Sequence, residues 1–555
     1  MTPDERLAAA LQHERLAAAL QLLIAGAYQA AEAAARAVLA DVPDSPQAAL
    51  LTGLAVAAMG ETVRAAPILV AVAAANPMAA HPCLEFAHFE PRFPRRLVGR
   101  LFDTCLRLSP HDRRLLLAYA DHLIDTDRAA QANEMLADAA GTPEAQHLRG
   151  LALADMGCFG AALAEFQSAV DMTPGAAASW SNLGMMLKIE GRFAEAVAAH
   201  DRAVALAPEN PRFRVNRAVT HLTEGAWDKA WPDYEFRLDL PEALPIDKTR
   251  LLPAIGPSDS LAGTTVIALH EDGFGDTLHF CRYLPLLVER GARVLACVPP
   301  ELEGVMRAVP GVSDVLTDAR HLPPHDFICP MFSLPGVFRT TLAAIPPAPR
   351  LATIPPAPRL AIDPDLRQRW AYRLPSGPAL KVGLVWAGQA RPSAPGFVAL
   401  DRRRSAGLAA FEPLFAVRGV NFISLQKGAA ARQTRPLSLT LFDPMPQVRD
   451  FADTAAIIAN LDVVVSVDTS VVHLAGLLGV PVFLMDRYDN CWRWLHGRTD
   501  SPWYPAMTIF RQAQPNDWSG AMAQAAVSLR AMTMFRSTAG ADAAHGGLSD
   551  GTQAA

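Results

Sequence analysis

Residues 264–285 read TTVIALHEDGFGDTLHFCRYLP. A β-branched and apolar run, Thr264 to Leu269, meets a turn that carries Gly273 and Gly275. A segment with helical spacing follows, through Leu278, Phe280, Cys281 and Leu284. Strand, glycine loop and helix make the opening unit of a doubly wound α/β domain. The glycines let the backbone pass close to a ligand, and the helix start behind them presents N–H groups to it. Asp276 stands at that helix start. It either caps the helix or takes part in chemistry.

The 555 residues leave room for roughly three or four domains. Hydrophobic residues make up 51% and charged residues 19%, as in a well-packed globular chain. The net charge of −6 gives no broad basic footprint for nucleic acid. Seven cysteines are scattered without a Cys-x-x-Cys pair, which argues against a zinc site or a disulfide framework. The start, MTPDERLAAALQHERL, carries acids and lacks the continuous apolar segment of a secretory signal. The most apolar run, near Ala65 to Ala75, is far short of the roughly 20 residues of a membrane span. A soluble, cytoplasmic protein is expected.

Residues 1–240 form a helical repeat array. Gly150, Gly184 and Ala218 recur every 34 residues, as do Gly157, Gly191 and Gly225, and Phe159, Phe193 and Trp227. Pro174 and Pro208 close units, and Gly26, Gly60, Pro43 and Pro77 keep the register earlier in the chain. The pattern is degenerate between 78 and 141, and residues 231–237 read as a capping unit. Trp180-Ser181-Asn182-Leu183-Gly184, Gly191-Arg192-Phe193 and Pro208 resemble the tetratricopeptide repeat. Such solenoids present a concave groove to extended peptides. Asn182 and Asn216, 34 apart, either hydrogen-bond a bound peptide or stack the repeats.

A proline-bearing linker is expected over 241–263, followed by a first α/β lobe over 264–345 with strands at 264–269, 292–298, 313–316 and 326–329. A proline-rich linker spans 346–379 and contains most of a duplicated IPPAPRL, at 345–351 and 354–360. A second lobe covers 380–534, with strands at 380–386, 420–425, 462–467, 481–485 and 508–510. A disordered tail is expected over 535–555. In the second lobe an apolar strand ends at Asp468-Thr469 and a helix begins at once with Ser470 and His473. Helix-start N–H groups and the two hydroxyls suit a diphosphate.

Five stretches occur in one order: Glu271–Thr277, Trp386–Gly388, Ser424–Gly428, Asp453–Ala455 and Val467–Gly476. Together they resemble the heptosyltransferase-like glycosyltransferases of the GT-B fold, in the form fused to tetratricopeptide repeats in bacteria. The resemblance covers about 264–530. It implies an α-solenoid followed by two Rossmann-like lobes, with inverting transfer from a nucleotide-sugar and neither metal nor further cofactor. It makes Asp276 the general base on the acceptor hydroxyl. It places the donor's diphosphate and sugar at Asp468, Thr469, Ser470 and His473. Lys427 and Arg404 are the candidate cations for the leaving diphosphate. Ser470 departs from the usual glycine of this pattern, and Asp272 adds negative charge that would raise the pKa of Asp276.

The favoured expectation is transfer of a sugar to a hydroxyl of a protein acceptor recruited by the repeats, flagellin-type surface proteins being one class. A glycan or lipopolysaccharide heptosyltransferase-like enzyme is the second reading. A non-catalytic repeat scaffold with a degenerate transferase module is the third. Trp492, Arg493, Trp494 and the Ser501–Pro505 run either flank a nucleobase or pack in the core.

Overall fold

The structure is a computed structural model that describes residues 3–75, 99, 102, 103, 106, 111–137, 139, 141–342, 362–389 and 395–546. The duplicated proline stretch and residues 547–555 lie outside the described residues. The chain divides into two compact units, Met1–Pro174 and Gly175–Ala555.

The first unit is helical, and its start signals are written in the sequence. Ser45, Asp112 and Thr142 each accept a hydrogen bond from the first turn of the helix that follows, Pro46–Ala58, Arg113–Asp125 and Pro143–Asp155. Two of those helices open on proline, whose missing N–H costs nothing there. Two glycine columns have two different causes. Gly60 and Gly157 close helices with φ of 83° and 80°, a left-handed conformation that other residues adopt poorly. Gly53 and Gly150 instead sit inside helices where a partner leans in. A Cβ on Gly150 would lie 2.7 Å from the Phe166 ring, and one on Gly53 would lie 2.7 Å from Leu69.

The helical pairs continue into the second unit as Ala177–Ile189, Phe193–Leu206, Pro211–Glu224 and Trp227–Tyr234. Here His200 fills the space left by Gly184, 2.7 Å from where a Cβ would be. One polar position also repeats. Arg149 in the first unit reaches Asn133 at 3.2 Å and Glu165 at 2.8 Å. Arg217 in the second reaches Asp201 and Asp233, both at 2.7 Å. Each arginine bridges the helix before and the helix after its own, so the stacking is fixed by charge as well as by small residues.

Two parallel sheets follow. The first contains β1 (Thr265–Leu269), β2 (Arg293–Cys297), β3 (Val312–Leu316) and β4 (Phe327–Pro330) in the order β3-β2-β1-β4. The second contains β5 (Leu380–Val385), β6 (Val420–Ser424), β7 (Leu441–Phe442), β8 (Val463–Val467), β9 (Val482–Asp486) and β10 (Met507–Arg511). Its order is β10-β9-β8-β5-β6-β7. The Val-Val-Val-Ser-Val of β8 is buried along its whole length, as an interior parallel strand must be. β7, only two residues long, has no counterpart among the expected strands.

Three features differ from the sequence reading. The segment 241–263 is packed rather than free: Leu244 and Ile246 cover one face of the first sheet, and Leu252 donates to the Ile328 carbonyl at 2.9 Å. The last helix, Ser519–Gly546, runs past residue 535, where a tail without structure is expected. Trp227, Trp231 and Tyr234 share one apolar core with both lobes instead of closing the repeats alone. Trp227 stacks on Trp503 with centroids 5.0 Å apart, and the Trp231 indole donates to the Thr340 carbonyl at 2.7 Å. Trp492, Trp494, Trp503 and Tyr504 are all buried in this region.

Candidate functional site

Two helix starts meet where the lobes face each other. Helix Phe274–Phe280 follows β1, and helix Ser470–Leu477 follows β8. Gly275 lies against the second helix: a Cβ there would sit 3.0 Å from His473 Cδ2 and 3.3 Å from Ser470 Cα. Gly275 is therefore needed for contact between lobes, where the sequence suggested close approach to a ligand. Gly273 caps its helix in an ordinary extended conformation, φ −89° and ψ 151°, so no unusual backbone angle demands glycine there.

Asp276 is not the cap of its helix, because Gly273 holds that position. It lies in the first turn, where the helix dipole favours a carboxylate. Its carboxylate pairs with the Arg493 guanidinium, and the side chains keep 20% and 10% of their exposure. Burial pushes the Asp276 pKa above the usual carboxylate value; Arg493 opposes this, while Asp272 and Asp468 add to it. The contribution expected of Asp272 is present, but burial is the larger cause.

A second arginine holds the other end of the same loop. Arg237, just past the last repeat helix, binds Glu271 in a fork at 2.8 and 3.0 Å, Glu235 at 2.7 Å and the Ser333 hydroxyl at 2.7 Å. Arg237 and Arg493 lie 5.8 and 5.6 Å from the centre of the Phe332 ring. Glu271 and Asp276, the two ends of Glu-Asp-Gly-Phe-Gly-Asp, are thus each gripped by an arginine, one from the repeat cap and one from the second lobe. The sequence reading gives Arg237 no role of its own and offers Arg493 only as a nucleobase neighbour or a core residue. The available signal was a lone arginine inside an aromatic run, WPDYEFRL and CWRWL, which must either reach water or find an acid.

Of the expected donor-side residues, Asp468, Thr469 and Ser470 follow β8, Lys427 follows β6, and Arg404 reaches the loop after β8. Thr469 occupies the cap position of helix Ser470–Leu477 without a side-chain hydrogen bond to the helix, and its hydroxyl lies 3.2 Å from that of Ser466. Asp468 and Ser470 are part-exposed on either side of it. Arg404 is held by Asp401 at 2.7 Å and reaches the Asp468 carbonyl at 3.5 Å. Lys427 is exposed and donates to the Val448 carbonyl at 2.9 Å, which leaves two of its three donor positions. Gln426 is buried and uses its whole amide to shape the neighbouring loop. It accepts from the Trp386 and Ala387 N–H groups at 3.0 and 2.9 Å and donates to the Ala387 and Lys427 carbonyls. The Trp-Ala-Gly and Ser-Leu-Gln-Lys-Gly stretches are therefore one structure.

Three further sets of residues are tied to partners within the protein. His473 is buried, with Nδ1 3.0 Å from the Tyr504 hydroxyl. Asp453 accepts from the Trp370 indole at 3.0 Å and from Arg449, and so anchors the helix Phe451–Ile458. Asn216 donates to the Ser181 hydroxyl at 3.0 Å, so its amide links neighbouring repeats; Asn182 stays part-exposed.

Asp486, at the end of β9, has no exposed surface and pairs with Arg511 at 2.8 Å. Burial pushes its pKa up to about 6, with Arg511 pulling down and Asp468 pushing up. The folded chain then binds a proton that the unfolded chain has released. Stability falls as pH rises from the usual carboxylate range through about 6. Denaturant titrations across that window should show this decline in the wild type and a flatter profile in Asp486→Asn.

The fold defines a class: a mixed helical and parallel-sheet protein with an N-terminal region of helical repeats. The tetratricopeptide repeat model matches residues 147–211 and 190–235, so the chain carries that protein-interaction module. Protein FlbA of Caulobacter vibrioides is 24% identical over 440 residues, covering 66% of this chain and 70% of FlbA. Among solved structures, MamA is 19% identical with a TM-score of 0.24, covering 26% of this chain and 87% of MamA. YrrB, described as a TPR protein with an unusual peptide-binding site, is 18% identical with a TM-score of 0.25, covering 31% of this chain and 91% of YrrB. No helix among the described residues is long and apolar enough to cross a membrane.

Proposed function

We propose that the chain is a GT-B, heptosyltransferase-like glycosyltransferase that moves a sugar from a nucleotide-sugar to a hydroxyl of a protein captured by its repeats. The observation that supports the reading is the close seat of the Asp276 helix on the start of helix Ser470–Leu477, where a Cβ on Gly275 would lie 3.3 Å from Ser470 Cα. Asp276, a carboxylate of raised pKa, follows Gly275 directly, and Thr469 at the cap of the facing helix makes no side-chain hydrogen bond to it. In the reaction, Asp276 takes the acceptor's proton as its oxygen attacks the anomeric carbon from the face opposite the diphosphate. The bond from that carbon to the diphosphate oxygen breaks. The leaving charge is met by N–H groups of the Ser470 helix start, the Thr469 hydroxyl, Arg404 and Lys427. Arg493 holds Asp276 in place.

Incubation of the full chain with nucleotide-sugars and a candidate acceptor protein tests this. A mass increment of one sugar on the acceptor is expected with the wild type and is lost in Asp276→Asn. A glycan acceptor accepted in place of every protein offered would move the activity to the lipopolysaccharide class. A second reading, a scaffold without catalysis, draws on the close seat of Gly275 against Ser470, which occupies space beside the diphosphate position. It requires that no nucleotide bind.

A further inference from the structure

The lobes are joined by a polar chain that the proposed reaction has not used. Tyr504 is buried, and its hydroxyl lies 3.0 Å from His473 Nδ1 and 3.0 Å from His279 Nδ1. Both imidazoles are held neutral, because burial pushes their pKa values well down and neighbouring arginines push the same way. Each ring then carries one proton, and for the hydroxyl's own proton to be used between the rings Tyr504 must donate to one ring and accept from the other. Only two arrangements satisfy this.

His279 Nε2 decides between them. It is buried without a hydrogen-bond partner. The Trp503 indole N–H is also buried without one, and the two rings have centroids 4.4 Å apart. If His279 carried its proton on Nε2, two buried donors would lie side by side with no protein acceptor for either. An orphaned N–H is the rarer and costlier defect. With the proton on Nδ1, Nε2 presents a bare lone pair, and the pair of orphans becomes one donor and one acceptor. His279 therefore donates to the Tyr504 oxygen, and Tyr504 donates to His473 Nδ1.

We propose that Tyr504 is a positioning residue that fixes His473 in the form protonated on Nε2, making that N–H a donor to the diphosphate of a bound nucleotide. Cδ2, the ring carbon bonded to Nε2, is the His473 atom nearest Gly275, so this edge of the ring is turned toward the meeting of the two helix starts. The use of that proton rests on the donor-site reading above; the proton arrangement itself does not. Replacing Tyr504 by phenylalanine keeps the ring that packs against Gly476 and removes only the hydroxyl.

The test is nitrogen-detected magnetic resonance on the full chain with labelled histidine, with His279→Gln and His473→Gln to assign the signals. The expected spectrum shows His279 protonated on Nδ1 and His473 on Nε2, and in Tyr504→Phe the His473 signals move toward a mixture of both forms. Addition of UDP or GDP is expected to shift His473 Nε2 and leave His279 unmoved. A wild-type His473 protonated on Nδ1, or a Tyr504→Phe spectrum identical to wild type, overturns the relay. The expected proton positions with no nucleotide-induced shift support the relay and remove the donor-site reading.

Discussion

Arg237→Met should destabilise the Gly175–Ala555 unit by about 3–5 kcal/mol, the usual cost of stranding a buried charge. Arg237 is 8% exposed, and it is the shared partner of Glu271, 13% exposed, and Glu235, 41% exposed. Methionine fills the apolar stem but leaves the Glu271 carboxylate without its fork. The half-exposed Glu235 recovers water, so Glu271 carries most of the loss. The double variant Arg237→Met with Glu271→Gln should recover part of the stability, because the stranded charge is gone. Equilibrium unfolding of the four members of this cycle measures the coupling. Equal stability of Arg237→Met and wild type would show that the arginine is a spectator.

The largest effect on activity is expected from Asp276→Asn. If Asp276 is the base, transfer should fall by about 10²–10⁴-fold. Nucleotide affinity should change little, because the proton leaves the acceptor and not the donor. The pH profile sharpens this. Burial raises the Asp276 pKa and Arg493 lowers it, so activity should rise with pH along a limb above the usual carboxylate range. Arg493→Gln removes the lowering influence and should move that limb to higher pH. A limb that stays in place, measured as kcat/KM against pH, would separate the activity from Asp276.

Much of the fold is legible in the sequence because it depends on local pattern. The runs Val463–Val467 and Leu380–Val385 could be little else than interior strands. The repeat glycines announced themselves by a period of 34. What stayed hidden depends on partners distant in the chain. Gly275 reads as a ligand-approach glycine until Ser470 and His473 are seen against it. Asp453 reads as part of a site motif until the Trp370 indole is found on it. Arg493, 217 residues from Asp276, has no local pattern to tie it to its acid. The end of the array was misjudged for the same reason. Trp227 fits the repeat pattern and residues 231–237 read as its cap, yet Trp227, Trp231 and Tyr234 are buried with the lobes. A truncation at residue 240 would cut through that core. A cut at the Pro174–Gly175 boundary is the sounder way to ask what the first unit binds.

Thermal-shift titration of the full chain with UDP, GDP, ADP, CMP and TDP, run beside the variant carrying Thr469→Ala and His473→Ala, shows whether helix Ser470–Leu477 holds a nucleotide at its start. One nucleotide is expected to raise the Tm of the wild type, and the double variant is expected to lose this response. A Tm unmoved by every nucleotide, or a shift that survives in the double variant, would contradict a donor site at the start of helix Ser470–Leu477.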